Sequence, residues 1–186
     1  MSYSWVEDHR VDKQTMTQAF KALDRRLKQP TRIIIGGGAA LAAAYDVPIR
    51  TQDVDGVPDR SSMDLSKFKQ EVRAVGRELG IPQDWLNDYF SIFLFVLPSD
   101  YGERLVPLYD GKHLEVCALG KEDLILMKSF AGREKDIPHV RILIRKGADL
   151  RIVDDRLHEL MQKNVPGAQK ASDFFSDVCE ELGVSP

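Results

Sequence analysis

The sequence predicts an α+β chain, with strands confined to its first two thirds and helices filling the last third. Three observations predict it. Short runs of β-branched and apolar residues bounded by Gly or Pro occur only before residue 120. From Lys121 onward apolar positions recur at helical spacing. At residues 33–45 an isoleucine run, a glycine turn and an alanine-rich helix former follow one another directly. The 186 residues suffice for one domain. We divide it into an N-terminal helix at residues 1–30, a core at 31–120 and a helical region at 121–186 packed on that core.

The first helix is expected over Val11–Lys28, because Met16, Phe20, Leu23 and Leu27 share one helical face. Either Asp12 or a Thr15/Gln18 capping box starts it, and Gln29-Pro30 ends it. Ile33–Ile35 reads as a buried strand and Ala39–Tyr45 as a helix, with Gly36-Gly37-Gly38 turning between them. An extended segment follows at Thr51–Val57. Asp64 caps a helix carrying Leu65, Phe68, Val72, Val75 and Leu79, which Gly80 and Pro82 stop. The continuous apolar run Ile92–Leu97 is expected to be a central strand. Arg104–Tyr109 and His113–Ala118 read as a hairpin turning at Asp110-Gly111. Helices follow near Lys121–Ala131, Pro138–Lys146, Ile152–Lys163 and Ser172–Leu182. The stripe of Phe174, Phe175, Val178 and Leu182 on the last helix fits docking on its own domain or on a partner.

Composition removes several functions. With 26 basic and 29 acidic side chains the net charge is −3, which argues against a duplex-DNA binder. Two cysteines without a CxxC pair exclude a disulfide scaffold and a zinc finger. No apolar run approaches the roughly 18 residues of a membrane span. The opening MSYSWVEDHR lacks the apolar stretch of a secretory signal, so a cytoplasmic protein is expected.

The chemistry concentrates at Asp53 and Asp55. In an extended segment these carboxylates share a face while Val54 points into the core. Two adjacent hard anions repel each other, and Mg²⁺ or Mn²⁺ is their natural neutraliser. A DxD alone fits a solvated turn equally well. Upstream, however, the glycine turn at the start of a helix offers free amides suited to triphosphate. The same glycines would also serve close packing of helix on sheet.

A glycine pair, a helix and then Thr51-x-Asp53-x-Asp55 resembles the signature of the nucleotidyltransferase superfamily related to DNA polymerase beta. The stretch Leu124–Ile137, with Lys128, Ala131, Arg133, Lys135 and Asp136, is similar to a segment of small bacterial relatives of AbiEii-type toxins. Trp85-Leu86-Asn87 also resembles that group. The likeness spans about Ile33 to Ile144. It implies a nucleotidyltransferase fold, a small mixed sheet with helices on one face plus a helical C-terminal part, and a cleft between the two. It further implies a Mg²⁺-dependent (or Mn²⁺-dependent) enzyme moving a nucleotidyl group from an NTP to an acceptor, with RNA such as tRNA, a protein or a small molecule all open as acceptor and a cognate antitoxin as a partner. By this likeness Gly36 and Gly37 approach the triphosphate and Thr51 steadies the turn or touches phosphate. Asp53 and Asp55 bind metal, Lys128 and Arg133 face phosphate or base, and Asp136 orients one of them. Glu115 is the candidate third carboxylate. The sequence departs from the superfamily pattern at Gly56, where an apolar residue is usual, and at His139, where relatives often carry an acid. These departures favour an alternative, a catalytically degenerate nucleotide- or protein-binding module on the same fold. On residue type alone, Lys128 also reads as a snorkelling surface lysine and His139 as a first-turn surface residue.

Overall fold

The computed structural model describes residues 12–49, 51–58 and 64–186. Val11 and the opening decapeptide lie outside them. Helix α1 (Lys13–Arg26) starts at Asp12, whose carboxylate accepts from the Thr15 N–H at 2.7 Å, so Asp12 rather than Thr15 is the cap. Strand β1 (Thr31–Ile35), helix α2 (Gly37–Tyr45) and strand β2 (Val54–Pro58) follow. Helix α3 (Leu65–Leu79) is capped by Asp64 and closed by Gly80 at φ +67°. A two-residue strand β3 (Leu86–Asn87), two 3₁₀ helices (Tyr89–Val96 and Tyr101–Arg104) and the hairpin β4 (Val106–Asp110) and β5 (Leu114–Ala118) complete the first part. Helices α4 (Lys121–Ala131), α5 (Ile137–Arg145), α6 (Leu150–Gln162) and α7 (Ala168–Leu182) form the rest. Among the described residues no helix is long and apolar enough to cross a membrane.

The five strands form one mixed sheet in the order β3-β2-β1-β5-β4, matching the α+β expectation. β1 runs antiparallel to β2 and parallel to β5, so the isoleucine run is the sheet's centre. Alternation then sorts the side chains. Ile33 and Ile35 are paired with Val116 and Ala118 and all four are fully buried, whereas Arg32 and Ile34, paired with Glu115 and Cys117, face the other way. Gly56 belongs to the inner face. A Cβ there would meet Leu86 Cδ1 at 2.7 Å and the side chains of Ile33 and Ile35 at 3.1 and 3.2 Å. The missing apolar side chain at this position is therefore replaced by Leu86 from β3. Asp55, one residue back, points to the face of Arg32.

The hairpin is pinned from below by α1. Asp24 accepts from the N–H groups of Lys112, His113 and Leu114 and from the Tyr109 hydroxyl. These bonds outweigh the effect of its burial and hold its carboxyl below the usual aspartate range.

Residues 92–97 are not a strand. Residues 92–96 lie in the 3₁₀ helix Tyr89–Val96, which Leu97 caps and whose three-residue turn creates three rows. Phe90 and Val96 are buried, with Phe93 between them packed against the core. Tyr89, Ile92 and Phe95 point outward and are 67, 69 and 53% exposed. A run apolar on every row looks identical in sequence to a buried strand. The end of this helix is closed from outside. The Arg156 guanidinium on α6 donates to the carbonyls of Phe95, Val96 and Leu97 at 2.8–3.1 Å, supplying the partners that a helix end lacks.

Helix α4 is buried on nearly all sides, wrapped by α5, α6, α7 and the first 3₁₀ helix. Its interior polar groups are all satisfied. Glu122 accepts from Asp149 N–H, Asp123 takes two bonds from Arg104, and the Ser129 hydroxyl donates to the Ile125 carbonyl. The apolar stripe of α7 docks on α4 and α6, which resolves it as an intramolecular contact.

Candidate functional site

The acidic wall is built at the end of β1. The Gly36 N–H donates to the Asp55 carbonyl at 2.9 Å, so the ladder carries Asp55 alongside the glycine turn. Gly36 spends its amide on this bond, and a Cβ there would meet the Phe90 ring at 3.2 Å. Gly37 sits at φ +59°, and a Cβ there would lie 2.1 Å from Asp55 Oδ2. Only glycine lets the carboxylate rest on the turn. The first intrahelical bond of α2 runs from Ala40 N–H to the Gly36 carbonyl, which leaves the amides of Gly37, Gly38 and Ala39 without intrahelical partners. Thr51 does not extend into the cleft. Its hydroxyl donates to the Asp53 carbonyl at 2.8 Å, steadying the segment that bears the acids.

Asp53 and Asp55 differ in their surroundings. Asp53 Oδ2 accepts from the Asn87 side-chain amide at 2.9 Å. The Asn87 oxygen in turn accepts from the Tyr89 N–H at 3.1 Å, so one amide ties the acid to the start of the aromatic 3₁₀ helix. Among the described residues no side chain donates to Asp55. Burial, and then the Asp53 charge, push the Asp55 carboxyl above the usual aspartate range, and Arg133 and Lys128 pull it only partly back. Among the described residues, no cation forms an ion pair with either acid.

The basic wall has its charges already matched. Lys128, in the last turn of α4, is buried rather than snorkelling, and its ammonium donates to Asp136 Oδ1 at 2.6 Å. Arg133 Nε donates to Asp136 Oδ2, also at 2.6 Å, so Asp136 orients both cations. His139 is half-buried, not a free surface residue. Its Nδ1 lies 3.3 Å from Lys128 Nζ and 3.5 Å from Asp136 Oδ1, because α5 folds back beside the end of α4. Burial would raise the Asp136 carboxyl, yet hydrogen bonds from His139, Arg133 and Lys128 outweigh it and hold it far below the ordinary range. Lys128 is shifted down by burial, with Asp136 partly compensating.

The two walls face one cleft of about 140 Å³. Its polar lining is Gly37, Asp55, Lys128 and Arg133, and its apolar lining is Tyr89, Phe90, Phe93, Leu124, Met127 and Ala131. Gly37, Asp55, Lys128 and Arg133 are thus brought together in the lining, Asp53 stands two residues from Asp55, and Thr51 and Asp136 steady the two walls through the bonds above. Glu115 is not. It shares the face of Asp55 but pairs with Arg32 in the sheet, four positions along β5 from the level of the glycine turn. That is roughly 13 Å at the rise of a strand. Its carboxylate is engaged with Arg32 Nε at 2.9 Å in a half-exposed ion pair. Among the described residues no group of three or more His, Cys, Asp or Glu side chains is placed to hold an ion. Asn87, His139, Tyr89 and Phe93 are site residues to which sequence reasoning gave no role. Asn87 carried a signal as part of the Trp85-Leu86-Asn87 tripeptide, and His139 as a departure from the superfamily pattern.

No curated protein and no solved structure matches the chain. A family model does match residues 14–179, nearly the whole length and both walls of the cleft, under the description "Nucleotidyltransferase of unknown function (DUF6036)". The chain belongs to this nucleotidyltransferase family.

Proposed function

We propose that the protein is a divalent-cation-dependent enzyme that transfers a nucleotidyl group from an NTP to an acceptor hydroxyl. The observation that carries this reading is the meeting, in one cleft, of a glycine-seated carboxylate with no cationic partner among the described residues and two cations fixed by a third acid. Asp53 and Asp55 fit Mg²⁺ or Mn²⁺, since two carboxylates completed by substrate phosphates are the donor set such ions commonly take. When bound, that ion would neutralise phosphate charge and favour ionisation of the acceptor hydroxyl. The free amides of Gly37, Gly38 and Ala39 would receive phosphate oxygens. Lys128 and Arg133 would stabilise the charge that builds on the α-phosphoryl and the leaving pyrophosphate. They reach the reaction already oriented, because Asp136 holds both. The acceptor hydroxyl would release its proton to solvent as its oxygen bonds to the α-phosphorus and the bond to the pyrophosphate oxygen breaks.

Following the resemblance to AbiEii-type relatives, we place RNA first among acceptors, with tRNA as the initial substrate to try and a cognate antitoxin as the expected partner. The test is label transfer from an α-³²P-labelled NTP in the presence of Mg²⁺ to tRNA and to a protein pool. Labelled acceptor with wild type and none with Asp55→Asn supports the enzyme. NTP binding without label on any acceptor favours the alternative, a nucleotide-binding module. The lack of a third acid beside Asp53 and Asp55 among the described residues speaks for that second reading.

A further inference from the structure

The first 3₁₀ helix supplies the cleft with a surface that the transfer reaction does not use. Its start is fixed by Asn87, which bonds both Tyr89 N–H and Asp53, and its end by Arg156. The Tyr89 backbone is therefore tied to the segment that bears the acids, and its 67% exposed side chain lines the same cleft as Asp55. Behind it Phe93, Leu124, Met127 and Ala131 give the cleft an apolar floor. This apolar side of the cleft gives one flat ring system a surface to lie on. The charged lining groups, Asp55, Lys128 and Arg133, have the wrong character for a nucleobase and the right one for a triphosphate chelating a cation.

Resting on the nucleotidyltransferase reading, we infer that Tyr89 is the base-stacking platform of this cleft and that the site accepts all four NTP bases. Every base has a π-face, and an aromatic ring with apolar neighbours reads that face alone. Discrimination between bases needs donors and acceptors aimed at the base edge. Among the described residues, the side chains lining the apolar part offer none besides the Tyr89 hydroxyl. Stacking supplies affinity, and the phosphate end supplies position.

The test is calorimetric titration of the full chain with the four α,β-methylene NTP analogues and with tripolyphosphate, all with Mg²⁺, for wild type, Tyr89→Ala and Tyr89→Phe. The expected result is four affinities within about tenfold. Tyr89→Ala should weaken every analogue by at least about 5-fold while leaving tripolyphosphate unchanged, and Tyr89→Phe should restore binding. Analogue binding that ignores Tyr89→Ala, or a preference above about 100-fold for one base, overturns this inference and leaves the transferase reading standing. Failure of every analogue to bind folded wild type overturns both.

Discussion

The two walls of the cleft handle charge in opposite ways. On the sheet side, Asp53 and Asp55 are placed together with one amide donor between them, and burial pushes Asp55 up. On the helical side, Asp136 neutralises Lys128 and Arg133, and His139 completes the set. The basic wall is a finished network that stabilises the fold. The acidic wall is an unfinished one, held at some cost in stability by a backbone that admits only glycine. Local rules that fail without compensation mark a functional site, and this wall is where they fail. On the function proposed above, the missing component is a cation, and the wall's position opposite Lys128 and Arg133 fits a nucleotide as the ligand that would bring it.

Breaking the finished network should have the largest effect. Asp136→Ala would leave the buried Lys128 ammonium without its closest partner, and a loss of about 3–5 kcal/mol in urea unfolding is expected. Asp136 is held below the ordinary 3.8 of an aspartate, so the unfolded chain takes up its proton more readily than the folded one. Its contribution is full above pH 3.8 and is lost as pH falls through the lower folded value. The stability gap between wild type and Asp136→Asn should therefore narrow on acidification. A gap that widened would contradict the network.

Gly37→Ala tests the seat of the unfinished wall. With φ at +59° and Asp55 Oδ2 in the way, it should cost about 1–3 kcal/mol and displace the carboxylate, lowering cation-dependent binding as well. Arg156→Ala acts on the aromatic wall between the two. Removing the bonds to three carbonyls should cost about 1–3 kcal/mol and loosen the 3₁₀ segment, read as faster amide exchange beginning at residues 95–97. Glu115→Gln should do least, within about 1 kcal/mol in stability and with nucleotide affinity unchanged, because its ion pair with Arg32 is half-exposed and far from the turn. A large loss of binding in Glu115→Gln would restore it as the third carboxylate.

How much of this was legible in sequence varies with how local the signal is. Asp64 and Gly80 bracket α3, and Asp110-Gly111 turns the hairpin, because caps and turns depend on a few adjacent residues. The DxD and the glycine turn were legible for the same reason. The segment 92–97 was not, since an apolar run carries no period with which to separate a buried strand from a 3₁₀ helix walled on two sides. Arg156, which closes that helix, lies some sixty residues downstream. Alternation gave Glu115 its face correctly, yet only the register of β1 on β5 shows how far along that face it sits. His139 reads as a surface residue after Pro138 until α5 folds back and sets its ring against Lys128.

The central claim is that the unfinished acidic wall is completed by a cation carried with a nucleotide. Calorimetric titration with a non-hydrolysable ATP or GTP analogue, with and without Mg²⁺, tests it most directly when wild type is set beside Asp53→Asn/Asp55→Asn. Thermal unfolding of both proteins shows whether each is folded. Binding to wild type that requires Mg²⁺ and disappears in the double variant, while that variant unfolds at the same or a higher temperature, is the predicted result. Equal binding by both proteins, or binding indifferent to Mg²⁺, would contradict it.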